Sequence, residues 1–203
     1  MNKTVVFAVV AVLAVGAILR QAGCGSSPIE GRRRILGEHE VYARLAAERV
    51  SAGDLVVMLV PAPPTSDKTL SALVSLYRKP LLARHANIEV HAISDNPALA
   101  VVTEPQFASA VQAHPDAAFL LLFARVDAEL AAQVRAWSPG VRLMYALQQT
   151  VDAAPDLQRL VERGIIDLVA VLRPPAGAPA TRDAASRFAQ RYEVLSAPPR
   201  PAP

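Results

Sequence analysis

Apolar residues in this chain fall into short unbroken runs separated by amphipathic stretches. The first complete run is Leu55–Val60, LVVMLV, which gives way to a Pro-rich loop and then to a helical pattern. Six apolar residues without alternation predict a strand buried on both faces, as in the centre of a parallel sheet. The cycle recurs four times. Solid apolar runs return at Ala118–Phe123, Val141–Leu147 and Ile165–Leu172. The second strand, Ile88–Ile93, differs because Glu89 and His91 alternate with Ile88, Val90 and Ala92. That alternation leaves one face able to meet water and predicts an edge strand.

Between the strands the spacing turns helical. A helix is expected over 38–50, with Val41, Tyr42 and Leu45 on one face and Gly53 placed to end it. The next is expected over Thr69–Lys79, with Leu70, Leu73, Val74 and Tyr77 forming a stripe and Pro80 kinking or ending it. Thr103-Glu104-Pro105-Gln106 has the form of a capping box opening a helix to about Ala113. Asp127–Trp137 aligns Leu130, Val134 and Trp137, and a helix near Pro155 carries Leu157, Leu160 and Val161 to Gly164. A weaker helix, Thr181–Arg191, leads to a short strand, Tyr192–Leu195.

Strands and helices alternating every ~25–30 residues are the mark of βαβ units on a parallel sheet. The expected fold is α/β: a three-layer αβα sandwich with a mostly parallel, five- to six-stranded sheet. Four apolar strands and one amphipathic edge fit the flavodoxin-like order 2-1-3-4-5. The strands are too few for an eight-stranded barrel.

An N-terminal membrane segment is expected ahead of this domain. Residues 5–19, VVFAVVAVLAVGAIL, are fifteen apolar or Gly residues, closer to a signal core than to the ~20 residues of a full span. Ala22-Gly23-Cys24 resembles the end of a bacterial lipobox, which implies lipidation at Cys24. The Arg32–Arg34 run instead favours a retained helix with that side in the cytoplasm. Both readings stay open, and either makes residues 5–19 the contact with a membrane. The organisation expected is anchor 1–23, linker 24–37, one α/β domain 38–195, and an unstructured Pro-rich tail 196–203.

Charge narrows the partners. The chain carries a net +3, but residues 1–34 alone carry +4, from Lys3, Arg20, Arg32, Arg33 and Arg34 against Glu30, which leaves the body at −1. A near-neutral body with no basic stripe argues against nucleic acid, whose binding rests on phosphate neutralisation. Cys24 is the only cysteine, so no intrachain disulfide forms.

In sheets of this type the ligand crevice lies beyond the carboxyl ends of the strands, where strand order reverses. The candidates are then Thr65, Ser66, Asp67 and Lys68 after the first strand and Ser94, Asp95 and Asn96 after the second. Arg125 and Asp127 follow the third, Gln148 and Gln149 the fourth, and Arg173 the fifth. These groups suit a small polar ligand. Asp67, Ser66 and Asp127 are equally suited to capping helices, and Ser94-Asp95-Asn96-Pro97 to making a turn.

Signatures of named chemistry are missing. The chain has no G-x-G-x-x-G after a strand, no G-x-x-x-x-G-K-[ST] and no G-x-S-x-G, so no cofactor is expected. His39, His85, His91 and His114 lack metal-ligand spacing and are assigned to surface or edge positions. Asp167, at the start of an apolar strand, reads as a turn or cap residue. Pro61, Pro63 and Pro64 remove three N–H donors from the loop where such folds grip phosphate.

The passage Leu160-Val161-Glu162-Arg163-Gly164-Ile165-Ile166-Asp167-Leu168-Val169 resembles the helix–Gly–Asp–strand passage of periplasmic sugar-binding proteins of the LacI type. The resemblance implies a single lobe of that architecture. Two functions follow as expectations. One is a non-catalytic, membrane-tethered envelope module that binds a small polar ligand or a protein partner. The other is an enzyme on a flavodoxin-like scaffold, with Asp67, Lys68, Asp95, Asp127 and Arg173 available for acid–base work.

Overall fold

The computed structural model describes residues 28–95, 101–124, 126–147, 155–173 and 183–198. The expected anchor 5–19, Cys24 and residues 199–203 of the tail lie outside them; of the tail expected over 196–203, Ser196 ends a strand and Ala197 is buried. No helix among the described residues is long and apolar enough to cross a membrane.

Helix α1 (Pro28–Glu48) precedes strand β1 (Leu55–Val60), and a 3₁₀ turn (Pro64–Ser66) leads to α2 (Lys68–Ala83) and β2 (Asn87–Ala92). Next come α3 (Glu104–Gln112), β3 (Phe119–Leu122), the short helices α4 (Ala128–Ala132) and α5 (Val134–Trp137), and β4 (Arg142–Tyr145). Helix α6 (Pro155–Glu162), β5 (Ile166–Leu172), α7 (Ala184–Arg191) and β6 (Tyr192–Ser196) complete the order. The six strands form one sheet in the order β2-β1-β3-β4-β5-β6. All neighbours are parallel except β5 and β6. This is the flavodoxin-like arrangement, with β2 at the edge and an antiparallel strand added at the far side.

Alternation along the strands builds two cores. Val57 and Leu59 of β1 face a cluster with Phe107 and Val111 of α3, Leu130 of α4, Val134 of α5, and Leu157, Leu160 and Val161 of α6. Val56, Met58 and Val60 face the other, with Tyr42 and Ala46 of α1, Leu70, Val74, Tyr77 and Leu81 of α2, and Phe188 of α7. Both faces of β1 are therefore dry, as its unbroken apolar run requires.

Four local expectations change. Helix α1 starts at Pro28, so most of the stretch read as a linker is helical. Its buried stripe is His39, Tyr42, Ala43, Ala46 and Ala47, with Val41 and Leu45 only partly covered. Small residues on that stripe let the helix lie close to the sheet. Gly37 serves the same end against α7, since a Cβ there would sit 3.1 Å from the Ala184 Cβ. Helix α2 continues through Pro80 to Ala83 because Leu81 is fully buried and anchors its last turn. The helix expected over Asp127–Trp137 is two pieces, since the Gln133 N–H bonds to the Leu130 carbonyl at 3.1 Å and tightens the turn. Helix α6 ends as Gly164 at φ +65° allows: the Gly164 N–H reaches the Val161 carbonyl and the Ile165 N–H the Leu160 carbonyl, a Schellman closure.

Asp167 is neither turn nor cap. Leu143 pairs with Ile166 and Met144 with Leu168, so Asp167 is an extra residue in β5 at a β-bulge. Bulges re-aim side chains, and this one sends a carboxylate into the interior, where it is 1% exposed. Arg49 donates to it from Nε at 2.8 Å and from Nη2 at 3.3 Å, and Arg142 donates through Nη1. Arg49 Nη2 also donates to the Ala197 carbonyl at 2.6 Å, and the Ala197 N–H donates to the Asp167 carbonyl at 2.9 Å. The end of α1, the start of β4, the bulge in β5 and the residue after β6 are thereby joined at the amino-terminal pole of the parallel strands.

Candidate functional site

The order reversal lies between β1 and β3, so the crevice at the carboxyl pole is flanked by the loops after those two strands. After β1 the chain runs through buried Pro61 and Ala62 into the 3₁₀ turn. Ser66 Oγ donates to the Pro63 carbonyl at 2.6 Å. Asp67 caps α2: its Oδ1 accepts from the Leu70 N–H at 2.7 Å. Lys68 is exposed, and the Thr69 hydroxyl accepts from Arg32 Nη2 of α1 at 2.9 Å.

After β3, Asp127 caps α4 in the same way, with Oδ1 accepting from the Leu130 N–H at 2.8 Å. The Tyr145 hydroxyl, at the end of β4, donates to the Val126 carbonyl at 2.9 Å and ties that loop down. Burial, and then the charge of Asp127, raise the Tyr145 hydroxyl above the ordinary tyrosine range. Ser94 is half-buried and Asp95 exposed at the end of β2. Arg173 is exposed after β5, with its N–H donating to the Arg191 carbonyl at 2.9 Å.

The topology therefore gathers Ser66, Asp67, Lys68, Ser94, Asp95 and Asp127 on three adjacent strand ends, β2, β1 and β3. Arg173 stands three strands from β1, roughly 14 Å at the usual strand spacing. Asn96, Arg125, Gln148 and Gln149 lie outside the described residues. Asp67 and Asp127 each have one carboxylate oxygen occupied by a backbone donor, and among the described residues no hydrogen bond is made to the other.

One arrangement at this pole is absent from the sequence expectations. The Leu147 N–H, just past β4, donates to the Tyr77 hydroxyl at 2.8 Å. The Tyr77 hydroxyl also lies 3.3 Å from His39 Nδ1, within hydrogen-bonding reach. His39 is 7% exposed, a core residue rather than a surface one. Tyr77 also packs edge-on against Phe123, the first residue after β3, with ring centres 5.2 Å apart. The relay holds α1 and α2 to the carboxyl ends of β3 and β4. The 3–4 spacing of His39 with Tyr42, Ala43, Ala46 and Ala47 marks His39 as buried but not its partner. Among the described residues, no group of three or more His, Cys, Asp or Glu side chains is placed to hold a metal ion.

No model of a known protein family matches the chain, and no curated protein matches it. Solved structures match it over part of their length. A XylFII molecule matches with a TM-score of 0.51 at 9% identity, over 80% of this chain and 60% of that one. A periplasmic ribose ABC transporter from Conexibacter woesei matches at 0.49 and 16% identity, over 67% and 45% of the two chains. An alanine–glyoxylate aminotransferase from Nostoc sp. matches at 0.44 and 17%, over 76% and 40%. The chain thus spans 40–60% of the length of these proteins. Solute-binding proteins of ABC transporters are also among the matches, at TM-scores of 0.44–0.47. At such identities the likeness is one of fold.

Burial of His39 lowers its pKa from 6.5 to about 4. The unfolded chain takes up this proton near pH 6.5 while the folded chain resists until about pH 4. The stabilisation is therefore complete above pH 6.5 and is lost as pH falls toward 4, in total about 3 kcal/mol. Urea unfolding of the native protein and of His39→Gln at pH 7.5 and pH 4.5 checks this. The native protein is expected to lose more stability than the variant by about 2–3 kcal/mol. Parallel losses would show that His39 is not buried neutral.

Proposed function

We propose that this chain is a non-catalytic envelope module that binds a small polar ligand at the carboxyl pole of its sheet. Residues 5–19 tether it to a membrane, as a retained helix or ahead of a lipidated Cys24. Residues 38–195 are its ligand-binding unit, and the lipidated form of the tether puts that domain on the extracytoplasmic side. A protein partner docking on the same pole is the other form of this reading.

The observation that carries it is the use made of the carboxylates beside the order reversal. Asp67 and Asp127 each cap a helix, and both are held in place by backbone donors. Among the described residues, neither meets a histidine or a hydroxyl nucleophile in a hydrogen bond of the kind a catalytic pair needs. Fixed carboxylate oxygens are instead good acceptors for the hydroxyls of a neutral polar molecule. The loop after β1 adds to the case: Pro61, Pro63 and Pro64 offer no N–H, which disfavours a phosphate there. The shared fold with the XylFII molecule is compatible with the reading.

Thermal-shift screening of the full chain against neutral sugars, amino acids and nucleotides tests it. A neutral polyol or sugar is expected to raise the melting temperature, and nucleotides are not. Asp67→Asn and Asp127→Asn keep their caps, and with Asp95→Ala and Arg125→Ala they are expected to weaken that binding, whereas Arg173→Ala, three strands away, is expected to change it less. Each lost hydrogen bond should cost about 1 kcal/mol, roughly fivefold in affinity. Turnover of a compound, abolished by one of these changes with the fold intact, would decide for an enzyme.

The tether has its own test. The full chain is expected in the membrane fraction and a version lacking residues 1–27 outside it. Equal partition of the two would remove the anchor from the account.

A further inference from the structure

The edge strand β2 carries a cluster that the ligand-binding reading does not use. Glu89 and His91 are two residues apart on β2, so their side chains leave the same face of the sheet. Helix α3 covers that side and ends at Gln112, and His114 follows in the turn. That turn is fixed at both ends: the His114 N–H bonds the Val111 carbonyl at 3.2 Å, and the His114 carbonyl accepts from the Ala117 N–H at 3.1 Å. His114 Nδ1 lies 3.2 Å from Glu89 Oε2, and its Nε2 lies 3.0 Å from His91 Nδ1. The two imidazole planes are nearly perpendicular, at 87°.

One arrangement of protons suits both contacts: a neutral His114 with its proton on Nδ1, facing the carboxylate, and its lone pair on Nε2. His91 Nδ1 is then the donor between the rings. A carboxylate holding the far nitrogen of a histidine whose near nitrogen is a free lone pair is the arrangement that orients metal-bound imidazole.

We propose that His91 Nδ1 and His114 Nε2 bind one divalent transition-metal ion of the zinc, nickel or copper class, with Glu89 orienting His114. The ion takes the place of the proton between the rings. His91 releases that proton from Nδ1 and takes one up from water at Nε2, so it stays neutral and no net charge is lost. Two nitrogens on a tetrahedral ion at 2.0–2.1 Å stand about 3.3 Å apart, so the rings separate by a few tenths of an ångström from the present 3.0 Å and turn until both lone pairs meet at the ion. The remaining positions go to water, for the Glu89 side chain is 55% exposed and the cluster opens to solvent. Nitrogen ligands select this class over magnesium and calcium, which take oxygen.

Isothermal titration of the full chain at pH 7.5 with zinc chloride tests the site, with magnesium and calcium chloride as comparisons. One equivalent of zinc is expected to bind, and neither of the other ions. His91→Ala and His114→Ala are each expected to weaken zinc by more than tenfold, and Glu89→Gln by about tenfold. His85→Asn, on the loop before β2 where His85 has φ +59°, is expected to leave it unchanged. Because a variant can fail to fold, the histidine ring-proton spectrum of the unaltered chain is recorded with and without zinc. Two of its four histidines should shift, one of those signals being missing from the His91 variant and the other from the His114 variant. No zinc binding by the unaltered chain, or undiminished binding by His91→Ala, would overturn the proposal. Shifts confined to other histidines would do the same.

Discussion

A carboxylate with almost none of its surface in water has to be matched by charge and hydrogen bonds, or the fold that buries it is not viable. Asp167 sets that requirement here. Its match comes from Arg49 at the end of α1 and Arg142 at the start of β4, two residues 93 positions apart. Because Arg49 also binds the carbonyl of Ala197, satisfying one charge brings the first described helix and the last described strand to the same place. Burying such a cluster need not stabilise a protein relative to a well-packed apolar one. What it does is exclude alternatives: a shift of β5 against β4 would strand the charge. A second buried carboxylate repeats the device between helices, where Glu38 of α1 takes Arg191 of α7 at 2.9 and 3.0 Å.

The two poles of the sheet are thereby given different work. At the amino-terminal pole the polar groups are closed upon one another in the Asp167 cluster. At the carboxyl pole the polar groups beside the order reversal are positioned by caps and by the Tyr145 and Tyr77 hydroxyls, yet Asp67 and Asp127 each retain an oxygen that the cap does not use. Rigid positioning with residual hydrogen-bonding capacity is what a binding rim needs. The stiff Pro61-Ala62-Pro63-Pro64 segment belongs to the same scheme, since it fixes the approach to α2 without offering anion-binding donors.

The parallel strands and the edge position of β2 were legible in the sequence because they depend on burial, which leaves a periodic trace. Leu55–Val60 is apolar on both faces because both faces are covered, and Glu89 and His91 alternate because one neighbour is missing. Capping was legible too: the Thr103 N–H donates to Gln106 Oε1 at 3.0 Å, as the four-residue pattern implies. The buried ions were not. A bulge is a mismatch between two strands, so neither strand's sequence alone marks Asp167 as the residue turned inward. His39 and the Glu89–His91–His114 cluster were missed for a related reason. Their partners are brought in by other elements, Tyr77 from 38 positions away and His114 from 23, and spacing along one segment says nothing of them.

The dependence of the fold on the Asp167 cluster is tested most directly by comparing two aspartates that differ in what they hold. Asp167→Ala and Asp127→Ala are made in the full chain and their stabilities measured by urea unfolding at pH 7.5. Removing Asp167 leaves two arginines without their anion and should cost about 3–5 kcal/mol. Removing Asp127 deletes one helix cap and should cost about 1 kcal/mol. An Asp167 variant no less stable than the Asp127 variant would contradict the account, since the joining of α1, β4, β5 and Ala197 would then rest on something other than that carboxylate.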